Sequence, residues 1–292
     1  MPQPFTRSRI FLICVSTAAL LLAGCVTATA VSTFCASAAT TLASAKPIFS
    51  DMKASCLREL DAREPIGSYK TSANDPKMAP SIANCNAIGT QAEGATAAAA
   101  ILSDYFSAIN ALASFGTAKA GSDAQTLATK TTAALGSGSP AQTAIGSMVG
   151  DLTSVFTSGY QLKKLESDLT RVSGNITAVS NGLVSIIQKN YIDQLLMDEE
   201  NKTAARYKEF YKPSFSPEAQ VMLEDRWKTD AAAIQAKRAS ALSLISALQA
   251  LSKGFADMAT NAHKLKSKEL SGLLAPYVTQ VQTLIPQIQK AF

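Results

Sequence analysis

The hydrophobic positions of the C-terminal half fall into two long stripes. Leu165, Leu169, Val172, Ile176, Val179, Leu183 and Ile186 follow alternating steps of four and three, and Leu244, Leu248, Leu251, Phe255, Met258, Ala262 and Leu265 repeat the same steps. That spacing gathers side chains on one face of an α-helix, so each stripe predicts an amphipathic helix about three heptads long. Between them, Lys212-Pro213-Ser214-Phe215-Ser216-Pro217-Glu218 carries a stop and a start. Pro213 removes a backbone donor, Ser216 is a good N-cap, and Pro217 suits the first helical position, where its missing N–H is not needed. Residues 151–292 therefore read as a long antiparallel helical hairpin with its turn near 213–217. If the chain reverses about Phe215, residue numbers at one level sum to about 430, which pairs Leu165 with Leu265, Val172 with Met258, Val179 with Leu251 and Ile186 with Leu244. A helical bundle and a two-stranded coiled coil both use such stripes.

The N-terminal half also has helical character. Residues 31–63 have helix-forming composition interrupted by Pro47, and 81–115 form an Ala-rich helix carrying Ile101, Leu102, Phe106, Ile109 and Leu112. Between 86 and 157 the only charges are Glu93, Asp104, Lys119, Asp123, Lys130 and Asp151, which marks the stretch as either buried or membrane-seeking. The uncharged run 131–150 contains Gly136, Gly138 and Pro140. It suits a connector between a short helix over 122–135 and a longer one from near Ser139 better than a spanning helix. Gly159, Gly174 and Gly182 each cost a helix about 1 kcal/mol relative to Ala, so close approach of another helix is the expected reason for them. Leu270, Leu274, Tyr277, Val281, Leu284 and Ile288 line one face of a last helix, which Pro276 and Pro286 should kink. The sequence thus predicts an all-α, elongated helical bundle built around the C-terminal hairpin, with the helices at 31–63 and 81–115 packed on it.

Composition narrows the chemistry. The chain has 292 residues, 47% apolar and 17% charged, with a net charge of +5, one His, one Trp and five Cys. Apolar content this high excludes an intrinsically disordered protein. A single histidine leaves little scope for the common His-centred metal and acid–base sites, and no nucleophile-elbow, phosphate-loop or zinc-helix motif is present. His263, with no second His or Cys at ligand spacing, reads as a half-exposed helix residue. Asp198, Glu199 and Glu200 are adjacent, so they spread around a helix and read as a solvated face. No catalytic residue, metal site or cofactor is expected, and with no basic cluster, no nucleic-acid partner.

Arg7 and Arg9 precede an uncharged run, 10–22, that is too short to cross a bilayer yet suits the core of a signal peptide. It is followed by Leu22-Ala23-Gly24-Cys25. This resembles the lipobox of bacterial lipoproteins, which reads Leu, a small residue, Gly or Ala, then Cys. The resemblance covers the first 25 residues. It implies a signal peptide over 1–24, a mature chain beginning at Cys25, and acyl chains on that cysteine holding the protein on a membrane without a spanning helix. Val26 stands where the family's inner-membrane retention signal places Asp, which implies the outer membrane, facing the periplasm or the cell surface. The alternative is an ordinary signal-peptidase cut after Ala28-Thr29-Ala30.

In the exported chain Cys35, Cys56 and Cys85 remain, in a setting where thiols pair. Cys56 with Cys85 is the favoured bridge, because the segment between them holds Pro65, Gly67, Asn74, Asp75, Pro76 and Pro80, a loop that needs a staple. Closing that loop contributes about 3.5 kcal/mol in the chain-entropy model. Cys35 with Cys56 is the rival pairing; in the favoured one, Cys35 is a buried apolar thiol. Residues 25–150 then form an N-terminal helical segment with a stapled loop.

The hairpin changes character towards its turn. Residues 187–243 carry 18 charges, and Tyr191, Tyr207, Phe210, Tyr211, Phe215 and Trp227 accompany them. From Gln188 to the turn is about 37 Å of helix, an extended arm. Aromatic residues and Arg are enriched at binding hot spots, so Tyr207, Tyr211, Phe215, Arg226 and Trp227 are the candidate partner-binding residues. The competing reading is that these aromatics staple the hairpin end. The function expected is that of a lipid-anchored cell-envelope protein acting non-catalytically by protein–protein binding, as an envelope scaffold or a toxin-immunity protein. The alternative is a membrane-perturbing or pore-forming α-helical protein.

Overall fold

The computed structural model describes residues 29–63, 78–114, 124–154, 162–265 and 267–292. Cys25 and the rest of the lipobox, Cys14, Gly159, and the loop over 64–77 lie outside them. Helix α1 covers 29–43 and a turn at 44–45 separates it from α2 (Lys46–Arg63). Pro47, which cannot donate to a continuing helix, explains the break. Helix α3 (Ala79–Ala113) begins with Pro80 in its first turn. Helices α4 (Ala124–Leu135) and α5 (Pro140–Ser154) are separated by Gly136 and Gly138, at φ of 78° and 74°. Side chains rarely adopt that left-handed conformation, so these two glycines stop α4. Helix α6 (Leu162–Ser185) runs through a π-helical segment (Ile186–Leu196) into α7 (Met197–Phe210). Ser216 then caps α8 (Pro217–Thr260), its hydroxyl accepting from the Ala219 amide at 3.3 Å. A 3₁₀ turn (Ala262–Lys264) leads to α9 (Lys268–Gln289). The protein is all-α, and no strand occurs among the described residues.

Every residue of both sequence stripes is buried, and α6 packs against α8. The Thr170 hydroxyl donates to the Ala259 carbonyl at 3.5 Å and the Ser252 hydroxyl to Thr177 Oγ1 at 3.1 Å, contacts that set the antiparallel register read from the stripes. Each Leu, Ile, Val or Phe so buried contributes about 1.5–3 kcal/mol relative to exposure. Phe34 of α1, Phe106 of α3 and Phe255 of α8 stack edge to face, with centroids 6.1 and 5.7 Å apart, so the N-terminal helices share this core. One cluster of buried side chains extends from Val31 to Ile288. The Ala-rich face of α3 lies within it, with Ala95 and Ala98 fully buried.

Two glycine expectations separate. A Cβ on Gly182 would meet Ala141 Cβ and Leu135 Cδ2 at 2.9 Å, so the α4–α5 corner does approach α6 closely there. Gly174 faces open space, and no neighbouring helix accounts for it.

Helix α9 runs antiparallel to α8, with the Ser240 hydroxyl donating to the Gln287 carbonyl at 2.9 Å and the Tyr277 hydroxyl bonding Asp257. It runs parallel to α1: Gln282 Nε2 donates to Ser37 Oγ at 3.2 Å and Gln289 Nε2 to Ser44 Oγ at 3.3 Å. The start of α1 is therefore level with the start of α9, at the end of the bundle farthest from Phe215. The 44 residues of α8 separate these two ends by about 65 Å.

Cys56 and Cys85 form the expected disulfide, tying α2 to α3 with Cα atoms 5.6 Å apart. Cys35 is fully buried, and burial pushes its thiol well above the ordinary range.

Candidate functional site

The most concentrated polar chemistry in the core lies where α2 crosses the π segment and α7. A stripe continued from Ile186 in steps of four and three would turn Asn190, Asp193, Met197 and Glu200 inward. The buried set is instead Ile187, Tyr191, Ile192, Leu195, Leu196 and Glu199, while Met197 is 47% exposed. The wider π turns shift the inward face by about one residue. Glu199 is thereby turned into the bundle, only 3% exposed, which corrects the expectation that Asp198, Glu199 and Glu200 form a solvated face. Asp198 is exposed, and Glu200 pairs with Arg238 at 2.8 Å.

Helix α2 supplies the partners. Arg58 spans two carboxylates: its Nη1 and Nη2 donate to the two oxygens of Asp51 at 2.9 and 2.8 Å, and its Nε and Nη2 donate to Glu199. The Ser55 hydroxyl donates to Glu199 Oε2 at 2.6 Å, and the Tyr191 hydroxyl to Asp51 Oδ2 at 2.7 Å. Lys237 of α8 pairs with Asp51 at 3.2 Å. Two acids meet two bases, so the cluster is neutral and well bonded, as buried charge must be. Burial and the Asp51 charge both push the Tyr191 phenol upward. Burial alone would lower the Arg58 guanidinium, but its hydrogen bonds to Glu199 and Asp51 outweigh that and raise it. Arg58 and Tyr191 thus act as hydrogen-bond donors to the two carboxylates and fix α2 against α7 and the π segment.

Beside this cluster a groove of about 440 Å³ opens between α2, α7 and α8, lined by Arg58, Asp61, Ala62, Glu199, Thr203, Arg206, Tyr207, Arg226, Asp230, Ala233, Ile234 and Lys237. Helix α2 therefore reaches along the arm to Tyr207 and Arg226. Among the described residues, the part of the arm beyond α2 is shorter than the arm expected from sequence, roughly 13 Å of helix on each side of the turn.

The five residues expected to bind a partner sit together at this end. Tyr207 and Trp227 pack with centroids 5.8 Å apart, the Tyr207 hydroxyl donates to Asp230 at 2.8 Å, and Arg226 pairs with Asp230 at 3.4 Å. The Tyr211 hydroxyl donates to Gln220 at 3.1 Å, and the Gln220 amide donates to the Phe215 carbonyl at 3.1 Å. These contacts staple the hairpin end together. What the end presents outward is Tyr211, Val221 and Met222, exposed by 52, 56 and 73%. Val221 and Met222 had no signal in the sequence beyond apolar character on an otherwise polar helix. Asp51, Ser55 and Arg58 were equally hidden, because their roles depend on the crossing of α2 with the π segment and α7.

His263 is exposed in the 3₁₀ turn. Among the described residues no group of three or more His, Cys, Asp or Glu is placed to hold a metal ion, and no helix is long and apolar enough to cross a membrane. Compared with known proteins, the chain matches no family model, no curated protein and no solved structure. The class defined by the described residues is a multi-helix bundle with a helical hairpin at one end, fastened by the Cys56–Cys85 disulfide and by the charge cluster around Arg58.

Proposed function

We propose that this is a lipid-anchored protein of the bacterial cell envelope, held on the outer membrane by acyl chains on Cys25, that works by binding another protein through the end of its helical arm. The observation that carries the reading is the parallel register of α1 and α9. Residue 29 begins at the end of the bundle farthest from Phe215, and Cys25 lies only four residues before it, a reach of about 14 Å at most. An acylated Cys25 would therefore hold that end at the bilayer and leave the arm to extend away from it. Exposed Tyr, Met and Val at the end of a charged hairpin suit protein contact, and the low-charge stretch of α3 is accounted for as bundle core.

The test is capture of envelope proteins by the wild type and by a Val221→Ser, Met222→Ser variant, which leaves the Tyr207–Trp227 and Tyr211–Gln220 contacts in place. The expected result is loss of the captured partner with the melting temperature unchanged. The same partner retained by the variant would contradict binding at the arm end, and dye release from liposomes by the purified protein would favour membrane perturbation in its place.

A further inference from the structure

The groove at the base of the arm contains four cations, and three of them are matched. Arg58 bonds Asp51 and Glu199, Lys237 pairs with Asp51, and Arg226 pairs with Asp230. Arg206 makes no hydrogen bond or ion pair among the described residues, and its Nε is fully buried without a partner. A buried N–H left unbonded is costly, and Arg206, half-buried as a whole, lines the groove with its charge unpaired among the described residues. The groove, about 440 Å³, is large enough to admit a ligand group rather than a lone water.

We propose that this groove is an anion-binding site in which Arg206 receives a single carboxylate, an Asp or Glu side chain of an acidic segment of the partner protein. The planar fork of a guanidinium matches a carboxylate with two parallel hydrogen bonds. The other three cations are each paired with a carboxylate, so Arg206 is the cation left for an incoming anion, and because the groove also holds Asp61 a single carboxylate suits it better than a phosphate dianion. Ala62, Ala233 and Ile234 supply an apolar floor for the methylene stem of the acid. Arg206 sits one residue from Tyr207, so the site is continuous with the arm surface, and the inference rests on the reading of the arm as a partner-binding element.

Trp227, the only tryptophan, packs on Tyr207 at the rim and reports occupancy by its fluorescence. The experiment titrates the mature protein in detergent with acetyl-tetraglutamate amide, acetyl-tetraglutamine amide or inorganic phosphate. The expected result is a saturable change with the glutamate peptide alone, weakened at least ten-fold by Arg206→Gln with helicity and melting unchanged, and weakened by added salt. If Arg206→Gln does not fold, Arg206→Lys replaces it, and the same ten-fold loss is expected because the fork is gone. No saturable change with the glutamate peptide, equal binding by either variant, or phosphate saturating over the same range would overturn the proposal. Peptide binding with no protein captured from the envelope would leave the groove standing and overturn the arm reading; the reverse would overturn the groove alone.

Discussion

Replacing Arg58 with Met is expected to destabilise the protein by about 3 kcal/mol, visible as a fall of about 6 °C in melting temperature. The side chain it removes is the single link between two acids. Lys237 and Tyr191 remain to compensate Asp51, but Glu199 keeps only the Ser55 hydroxyl and stays in a site where it is 3% exposed. Removing one member of a buried pair costs about 3–5 kcal/mol because the other charge is stranded, and the lower figure applies here because Arg58 is itself 37% exposed and partly screened. The decisive comparison is the double variant Arg58→Met, Glu199→Leu. It should be more stable than Arg58→Met alone, since no stranded charge remains. A double variant at least as unstable as the single one would mean that the cost lies in packing rather than in charge.

Replacing Cys56 and Cys85 together with Ala should cost a similar amount, about 3.5 kcal/mol, through the added freedom of the unfolded chain. The bridge closes a sequence separation of 29 residues, much of it the Pro- and Gly-containing connection between α2 and α3. Reduction of the wild type should reproduce the loss, whereas reduction of the double variant should change nothing. Cys56 lies next to Ser55 and two residues before Arg58, so α2 is fastened to α3 and to α7 within one helical turn. The two predicted losses should therefore couple rather than add. A melting temperature unchanged by loss of the bridge would contradict the role given to it.

The features legible in the sequence are those that local pattern determines. The stripes, the Pro213–Pro217 turn and the register through Thr170–Ala259 and Thr177–Ser252 follow from helical periodicity carried across one reversal. The disulfide followed from the need to close one loop. The charge cluster did not follow, for two physical reasons. Arg58 meets Glu199, and Asp51 meets Tyr191, across about 140 residues of chain, a distance over which periodicity carries no information. The π segment also shifts the inward face, so extending the stripe past Ile186 selects Met197 and leaves Glu199 in solvent, the reverse of what occurs. The arm shows a milder failure of the same kind. Its aromatic residues were visible, but whether Tyr207 and Trp227 face a partner or each other depends on the pairing of α7 with α8.

The account as a whole is tested most directly by the height of the arm above a bilayer. A donor dye on Met222→Cys, in acylated protein reconstituted into liposomes that carry an acceptor in their headgroups, measures it by energy transfer. The account predicts protein bound to the liposomes with weak transfer, corresponding to roughly the 65 Å length of α8. Dye left in solution, or transfer strong enough to place residue 222 at less than half that height, would contradict it.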